Sequence, residues 1–374
     1  MSVELRQVTS IRDLKKFVRF PYGLYKNHPY YVPPLIQAEM ENLRWKDNPA
    51  YDTCEARYWV ACRDGEIVGR IIAIINRDYI SKWGNKYGRF GWIDFIDDRE
   101  VSAALLGAAE KWCREKGMVG LHGPLGFTDF DKEGMLVEGF QELGTQPMLY
   151  NYPYYPKHLE ALGYEKDADW LEFDVKKPDV IPEKILRIQE LVLKRSKLRV
   201  LTARSKKDLV RFGREAIALV NEAYSDLYAF VELTDSQMDL YLKRYFAMLD
   251  PKYTKGIIDE GNRLVAFGAA MPSLSRALQK ARGRLLPFGI LHIWKALTFP
   301  KTLDMYLIAV KKEYQRRGLA AVVLAEITKE AFAHGITKAE TSGELEDNDQ
   351  VQALWKHFPT RQHKRRRVYL KLFE

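Results

Sequence analysis

The residues of this chain that point most directly to chemistry form one short segment, Tyr314-Gln315-Arg316-Arg317-Gly318-Leu319-Ala320. A β-rich run, Leu303–Val310, precedes it. An amphipathic helical run, Leu319–His334, follows, with Val322, Val323, Leu324, Ile327 and Phe332 apolar. A loop entering a helix N-terminus presents unpaired N–H groups and about half a unit of positive charge, which suits it to hold a diphosphate. Gly318 lets the backbone approach a ligand, Ala320 keeps the second turn slim, and Arg316 and Arg317 add positive charge. Taken alone, the same letters also describe a surface turn with solvated arginines; the flanking strand and helix favour the cradle.

Gln315-Arg316-Arg317-Gly318-Leu319-Ala320 fits Q/R-x-x-G-x-G/A at every defined position. On this motif and on element order, residues 198–374 resemble the GCN5-related N-acetyltransferase (GNAT) superfamily. The resemblance implies an acyl-CoA-dependent N-acyltransferase. Its donor would be acetyl-CoA or a longer acyl-CoA, and its acceptor a small-molecule or lipid-like primary amine. It implies that Gln315, Arg316, Arg317, Gly318, Leu319 and Ala320 hold the CoA pyrophosphate. It also implies that Leu307, Ile308, Ala309 and Val310 pair with the pantetheine arm, that Asn348 contacts CoA, and that the fourth and fifth strands splay to admit the thioester.

Acyl transfer needs a neutral amine, hence a base or proton path, a polarised carbonyl and a leaving thiolate that can be protonated. Candidate bases lie in Glu344-Leu345-Glu346-Asp347-Asn348, just after the predicted fifth strand Lys338–Ser342. Glu346 ranks first, Glu344 second, and Asp304, at the start of strand four, third. The bland reading of this stretch is a solvated acidic loop in which Asp347 or Asn348 caps the next helix. One departure from the family pattern matters. Trp355 stands near the position where many members carry a tyrosine that protonates the thiolate, and an indole cannot serve as that acid. Either the thiolate leaves unassisted or another group, His357 among the candidates, takes the role.

The elements that must position these groups recur in both halves of the chain. In the first half, Arg57–Cys62 and Ile67–Ile75 flank an Asp64-Gly65 turn. Strand Gly91–Ile96 follows, then helix Val101–Lys116, then a short strand from Leu121. In the second, strand Arg199–Thr202 and helix Val210–Ala223 lead to a hairpin over Tyr253–Asp259 and Arg263–Ala270. Strand Leu303–Val310, helix Leu319–His334 and strand Lys338–Ser342 come next, with helix Asp349–Phe358 and strand Arg366–Phe373 last. The alternation argues for an α/β (α+β) layer fold. With the resemblance it gives two GNAT-like domains in tandem, each a mixed, mostly antiparallel sheet flanked by helices. Residues 1–175 read as a degenerate GNAT-like domain contributing to the substrate pocket, 176–197 as a linker and connecting helix, and 198–374 as the acyl-CoA-binding domain. In the first half the loop Asp97-Asp98-Arg99-Glu100 replaces the cradle with acidic residues, so no CoA is expected there. The glycine- and aromatic-rich stretch from Gly123 to Tyr155 reads either as a pocket-lining loop or as a packed cap on the core. The whole layout resembles a tandem-GNAT group that includes members thought to N-acylate lipid-like amines in bacterial sphingolipid synthesis.

Ser273–Pro300 is an insertion beyond the minimal fold, with Arg276, Lys280, Arg282 and Arg284 beside the apolar run Leu285–Trp294. Burial as a helical pair is the favoured reading, and peripheral contact with an anionic membrane or an acyl chain the other. The run Lys364-Arg365-Arg366-Arg367 would meet the CoA 3′-phosphate or lipid headgroups, or end a strand in solvent. The 374 residues carry a formal charge of +9, which suits anionic ligands in general. No zinc-finger, RNP or basic-zipper pattern appears, so nucleic acid is not expected. Three cysteines, without metal-ligand spacing, and no signal-like or membrane-spanning run make a cytoplasmic protein the default expectation, with no metal. Two other classes remain: a non-catalytic CoA-binding sensor or scaffold, and a membrane or nucleic-acid binder driven by charge alone.

Overall fold

The computed structural model describes residues 2–201, 203, 205–245 and 249–374; Thr202, the end of one expected strand, lies outside the described residues. From the N-terminus, β1 (Glu4–Gln7) leads to α1 (Ile11–Leu24), which starts where the Ser10 side chain accepts from the Asp13 amide. After α2 (Ile36–Leu43), the expected hairpin forms as β2 (Cys54–Arg63) and β3 (Glu66–Asn76). Arg63 lies opposite Glu66, and the turn residues Asp64 and Gly65 sit at φ 54° and 84°, the left-handed pair that an Asp-Gly turn supplies. Then come α3 (Arg77–Trp83), β4 (Tyr87–Phe95), α4 (Arg99–Glu115) and β5 (Gly120–Gly123). β6 (Met135–Glu138), α5 (Tyr154–Ala161) and β7 (Glu165–Lys176) follow.

The stretch read as a linker and connecting helix contains α6 (Glu183–Arg195), with Ile185 and Gln189 buried and the Gln189 amide on Glu326. β8 (Arg199–Leu201) comes next. Where the pattern suggests one helix over Val210–Ala223, two form: α7 (Lys206–Arg211) and α8 (Gly213–Tyr224). Ser205 and Asp208 close a capping box that starts a helix early, and Phe212, at φ −95° and ψ 2°, breaks it before Gly213. α9 (Asp235–Tyr245) precedes the second hairpin, β9 (Thr254–Ile258) and β10 (Leu264–Pro272). The insertion forms α10 (Ser275–Ala281) and α11 (Gly289–Thr298). β11 (Thr302–Val310), α12 (Leu319–Ala333), β12 (Lys338–Thr341), β13 (Glu344–Leu345), α13 (Asp349–Trp355) and β14 (Thr360–Leu372) complete the chain. Gly335, at φ 69°, closes α12 where a glycine stop was expected.

The chain divides into two units. The first comprises Met1–Leu171, Leu274–Lys295 and His363–Glu374; the second comprises Glu172–Ser273 and Ala296–Gln362. Strands in the first run β1-β2-β3-β4-β5-β14, and in the second β8-β9-β10-β11-β12-β7. Each is a mixed, mostly antiparallel sheet whose parallel pair, β4–β5 or β11–β12, is joined by a crossover helix, α4 or α12. The same order of hairpin, strand, helix and parallel strand thus occurs twice.

In the first unit the alternation along β3 sends Ile71 and Ala73 to α4, with Val101, Leu105 and Trp112, and Ile72 and Ile74 to α1, with Phe17 and Val18. In the second, Val322, Val323 and Ile327 of α12 pack on Val265 and Leu303. That packing fixes the start of α12, and so the candidate cradle, against the end of β11.

Candidate functional site

After β11 the chain makes a tight turn at Lys312–Tyr314, and Gln315 Nε2 donates back to the Val310 carbonyl at 3.2 Å. Arg316 and Gly318 are left-handed, at φ 61° and 83°, and Gly318 is the N-cap of α12. The cap makes no side-chain hydrogen bond, and among the described residues no hydrogen bond engages the amides of Arg316, Arg317 and Gly318. Successive free amides at a helix start form a concave anion-accepting surface, which fits a diphosphate. Arg316 and Arg317 are exposed beside it, with the Arg317 guanidinium 5.1 Å from the Tyr314 ring. The reason for glycine at 318 differs in part from the one read in the sequence. A Cβ there would lie 3.2 Å from Val192 and 3.3 Å from Ile188 of α6, so the residue serves its left-handed backbone and the close approach of α6.

β11 pairs with β12 only from Thr302↔Lys338 to Met305↔Thr341. Beyond that, Ser342 follows β11 for one more step, its amide donating to Met305 O and its hydroxyl to Tyr306 O, both at 3.0 Å. On the other edge the register to β10 shifts between Ala269 and Ala270, opposite Leu307 and Met305, so Tyr306 is the extra residue of a bulge. Leu307, Ile308, Ala309 and Val310 therefore stay paired with β10 but not with β12.

Into this region reaches a residue the sequence did not single out. The Tyr224 hydroxyl, at the end of α8, donates to Ile308 O at 3.0 Å and accepts from the Ile308 amide at 3.3 Å. Burial pushes its phenol up to about 12, against the pull of the Ile308 amide and helped by the Glu344 charge, so it keeps its proton at neutral pH. Tyr224 stands one residue past the helix read at Val210–Ala223, but nothing local in the sequence ties that helix end to strand four.

The carboxylates separate clearly. Glu344 is 9% exposed; its Oε1 accepts from the Trp355 indole N–H at 2.7 Å, and its Oε2 is closed to solvent. Burial pushes this carboxyl up to about 7, opposed by the Trp355 indole and the Thr341 hydroxyl. Trp355, itself buried, is thus a positioning residue for Glu344. Glu346, ranked first on sequence, is exposed and its carbonyl accepts from Gln352 Nε2 at 3.1 Å. Asp304 is buried on β11, two residues before the bulge and in register with Glu340. Asn348 caps α13, its side chain accepting from the Val351 amide at 3.4 Å, as the structural reading of that loop expects. The geometry therefore brings together Glu344, Trp355, Tyr224 and the edge of β11 that has parted from β12.

Two further expectations meet corrections. The basic run Lys364–Arg367 is neither free for a phosphate nor a solvated strand end. Lys364 and Arg366 are buried within β14, and Arg365 and Arg367 bind the buried Asp169 at 2.9 and 2.8 Å. Burial acts to raise the Asp169 carboxyl, but Arg367 and Arg365 outweigh it and hold it below the usual carboxylate range. The insertion is buried only in its first half: Ala277 and Leu278 of α10 are core residues, whereas α11 is largely exposed.

In the first unit, the start of α4 is taken by Asp98, whose carboxylate accepts from the Glu100 and Val101 amides and pairs with Arg63 at 2.5 Å. The cradle position there carries its own anion. The aromatic stretch packs as a cap in which Tyr25 stacks on Tyr31 and Tyr152, with ring centroids 4.4 and 4.9 Å apart. Among the described residues, no group of three or more His, Cys, Asp or Glu is placed to hold a metal, and no helix is long and apolar enough to cross a membrane.

Comparison with known proteins agrees with this fold. The Acetyltransferase (GNAT) family model matches residues 218–358, which span β11, the cradle and α13. Protein YghO of Escherichia coli (strain K12) is 32% identical over 377 residues, covering 98% of this chain and 95% of its own. The bacterial ceramide synthase of Caulobacter vibrioides is 29% identical, covering 96% of this chain and 94% of its own. Among solved structures, the tandem GNAT protein from the clavulanic acid biosynthesis pathway superposes with a TM-score of 0.55 at 13% identity, covering 99% of this chain and 98% of that one. With its repeated sheet order and its cradle motif, this chain is a member of the GNAT superfamily, with two GNAT-like units in tandem.

Proposed function

We propose that this protein transfers an acyl group from acyl-CoA to the primary amine of a lipid-like acceptor, with the chemistry in residues 198–374. The observation that carries the reading is Glu344, a buried carboxyl with a pKa of about 7 held by an indole N–H just past the parting of β11 and β12. An alkyl amine is mostly protonated at neutral pH, since its ordinary pKa lies near ~10. The fraction that has given its ammonium proton to solvent is the nucleophile, and a base poised near pH 7 in a dry site is suited to taking the second proton, which the nitrogen loses as its bond to the acyl carbon forms. The amides of Arg316 to Ala320, with the Arg316 and Arg317 side chains, would hold the pyrophosphate, since the Gln315 amide is bonded to Lys312 O; Leu307 to Val310 would pair with the pantetheine arm as it displaces the Tyr224 hydroxyl from Ile308. As the carbon–sulfur bond breaks, the Tyr224 hydroxyl supplies the proton donor that Trp355 cannot be. Asp304 and Glu346 are kept as alternative bases, and Asn348 as a CoA contact through the part of its side chain that the cap does not use.

The lipid-like acceptor is supported by the full-length similarity to a protein named a ceramide synthase, since ceramide formation joins an acyl group to a lipid amine. The test is thiol release by the full chain with acetyl-CoA or palmitoyl-CoA and a panel of amines, with mass spectrometry of the product. Release that depends on a long-chain amino alcohol, with the matching N-acyl product, is expected. Stabilisation by acyl-CoA without amine-dependent release would instead favour a CoA sensor, the reading that the missing tyrosine supports. Neither stabilisation nor release would overturn both.

A further inference from the structure

We propose that Leu285–Trp294, in the first unit, is a docking element that lays its apolar side chains into the surface of an anionic bilayer. Leu286, Phe288, Ile290, Leu291 and Trp294 are 74%, 67%, 51%, 58% and 59% exposed, a density of large apolar side chains that water does not favour. Ile290, Leu291 and Trp294 fall on one arc of α11 by helical spacing. Flanking them are Arg276, Lys280, Arg282, Arg284 and Lys295, and the sequence from Ser273 to Pro300 contains no Asp or Glu at all. An apolar face bordered by cations with no compensating acid has the composition of a helix lying in the interface of an anionic membrane, with Trp at headgroup depth. Ten residues of helix reach about 15 Å, half the ~30 Å hydrocarbon thickness, so the element lies on the bilayer and does not cross it.

The platform beneath is fixed, so its exposure is built into the fold. Gln279 Nε2 donates to Pro29 O and Tyr31 O, both at 3.0 Å, and the Ile36 amide donates to Gly283 O at 3.0 Å. Gly283 is left-handed, at φ 72°, and a Cβ on it would come within 2.2 Å of the Tyr22 ring. A loop so tightly seated carries the apolar run outward. Charge complementarity selects the occupant. A second copy docked face to face would oppose one set of cations with an identical set, whereas phosphatidylglycerol-type headgroups complement them.

The proposal stands apart from the acyl-transfer reading, because it is tested without substrates. The full chain is sedimented with vesicles of phosphatidylcholine alone or with phosphatidylglycerol added. Binding to the anionic vesicles is expected to exceed that to neutral ones by about tenfold or more, and to fall with salt. Phe288→Ser with Leu291→Ser and Trp294→Ser, and separately Arg282→Glu with Arg284→Glu, should each lower it by about tenfold or more while leaving the melting curve in place. All five positions are exposed, so folding is spared. Wild-type protein that binds anionic vesicles no better than neutral ones, or no better than the triple variant, overturns the proposal. So does sedimentation velocity showing a wild-type dimer that the triple variant abolishes, which would make the patch a self-association face.

Discussion

Replacing Trp355 with Phe keeps an aromatic side chain in the core and removes the indole N–H that holds Glu344. A hydrogen bond to a charged group contributes about 1.5–3 kcal/mol, and ~1.4 kcal/mol corresponds to one pKa unit. Because the bond favours the ionised carboxylate, its loss raises the Glu344 pKa, from about 7 to roughly 8–9. If Glu344 is the base, activity follows its ionised fraction: about half at pH 7 in the wild type, and roughly a tenth to a hundredth in the variant. The assay is kcat/KM for thiol release between pH 5.5 and 9.5, with melting curves at each pH. The variant should lose about 5- to 50-fold at pH 7 and recover most of it at pH 9.5, the acidic limb having moved upward. A uniform loss at every pH, with the limb unmoved, would show that Trp355 matters only for packing, or that Glu344 is not the base.

Glu344→Gln should lower kcat by about 10²–10⁴. It should also stabilise the protein above pH 7. The raised folded pKa means that ionising Glu344 costs stability, absent below about pH 4.5 and complete above about pH 7, at most on the order of 3 kcal/mol. Differential melting at pH 5 and pH 8 checks this, and an equal shift at both would contradict it. Tyr224→Phe should cut kcat about 10- to 100-fold with little change in KM for the donor. It should also cost about 1–3 kcal/mol of stability through the backbone groups it leaves unpaired at Ile308; unchanged kcat would remove it from the mechanism. Arg316→Glu with Arg317→Glu, both exposed, should weaken CoA binding about tenfold or more in calorimetry with no loss of melting temperature. Unaltered affinity would refute the cradle.

Strands, hairpins, the repeated order and the turn that forms the candidate cradle were legible in the sequence because each is encoded locally. Asp64-Gly65 has the handedness of a two-residue turn, the apolar spacing of Leu319–His334 is helical, and Gln315–Ala320 lies on contiguous residues between a strand and a helix. The identities of Glu344 and Glu346 were also there, but not which of them is dry. That depends on Trp355 folding back across eleven residues and on where β11 parts from β12. Tyr224 was out of reach for the same reason, since its partner Ile308 lies 84 residues away. Lys364–Arg367 looked like free charge because its counterion, Asp169, is close only in space. Composition likewise could not say which half of the insertion is covered, because burial belongs to the assembled neighbours of a segment. The sequence alone determined the repeated fold and the strand-to-helix turn at Gln315–Ala320. Tertiary structure alone decided which carboxyl is desolvated, which hydroxyl meets strand four and which apolar face is left in water, because desolvation and long-range pairing have no local code.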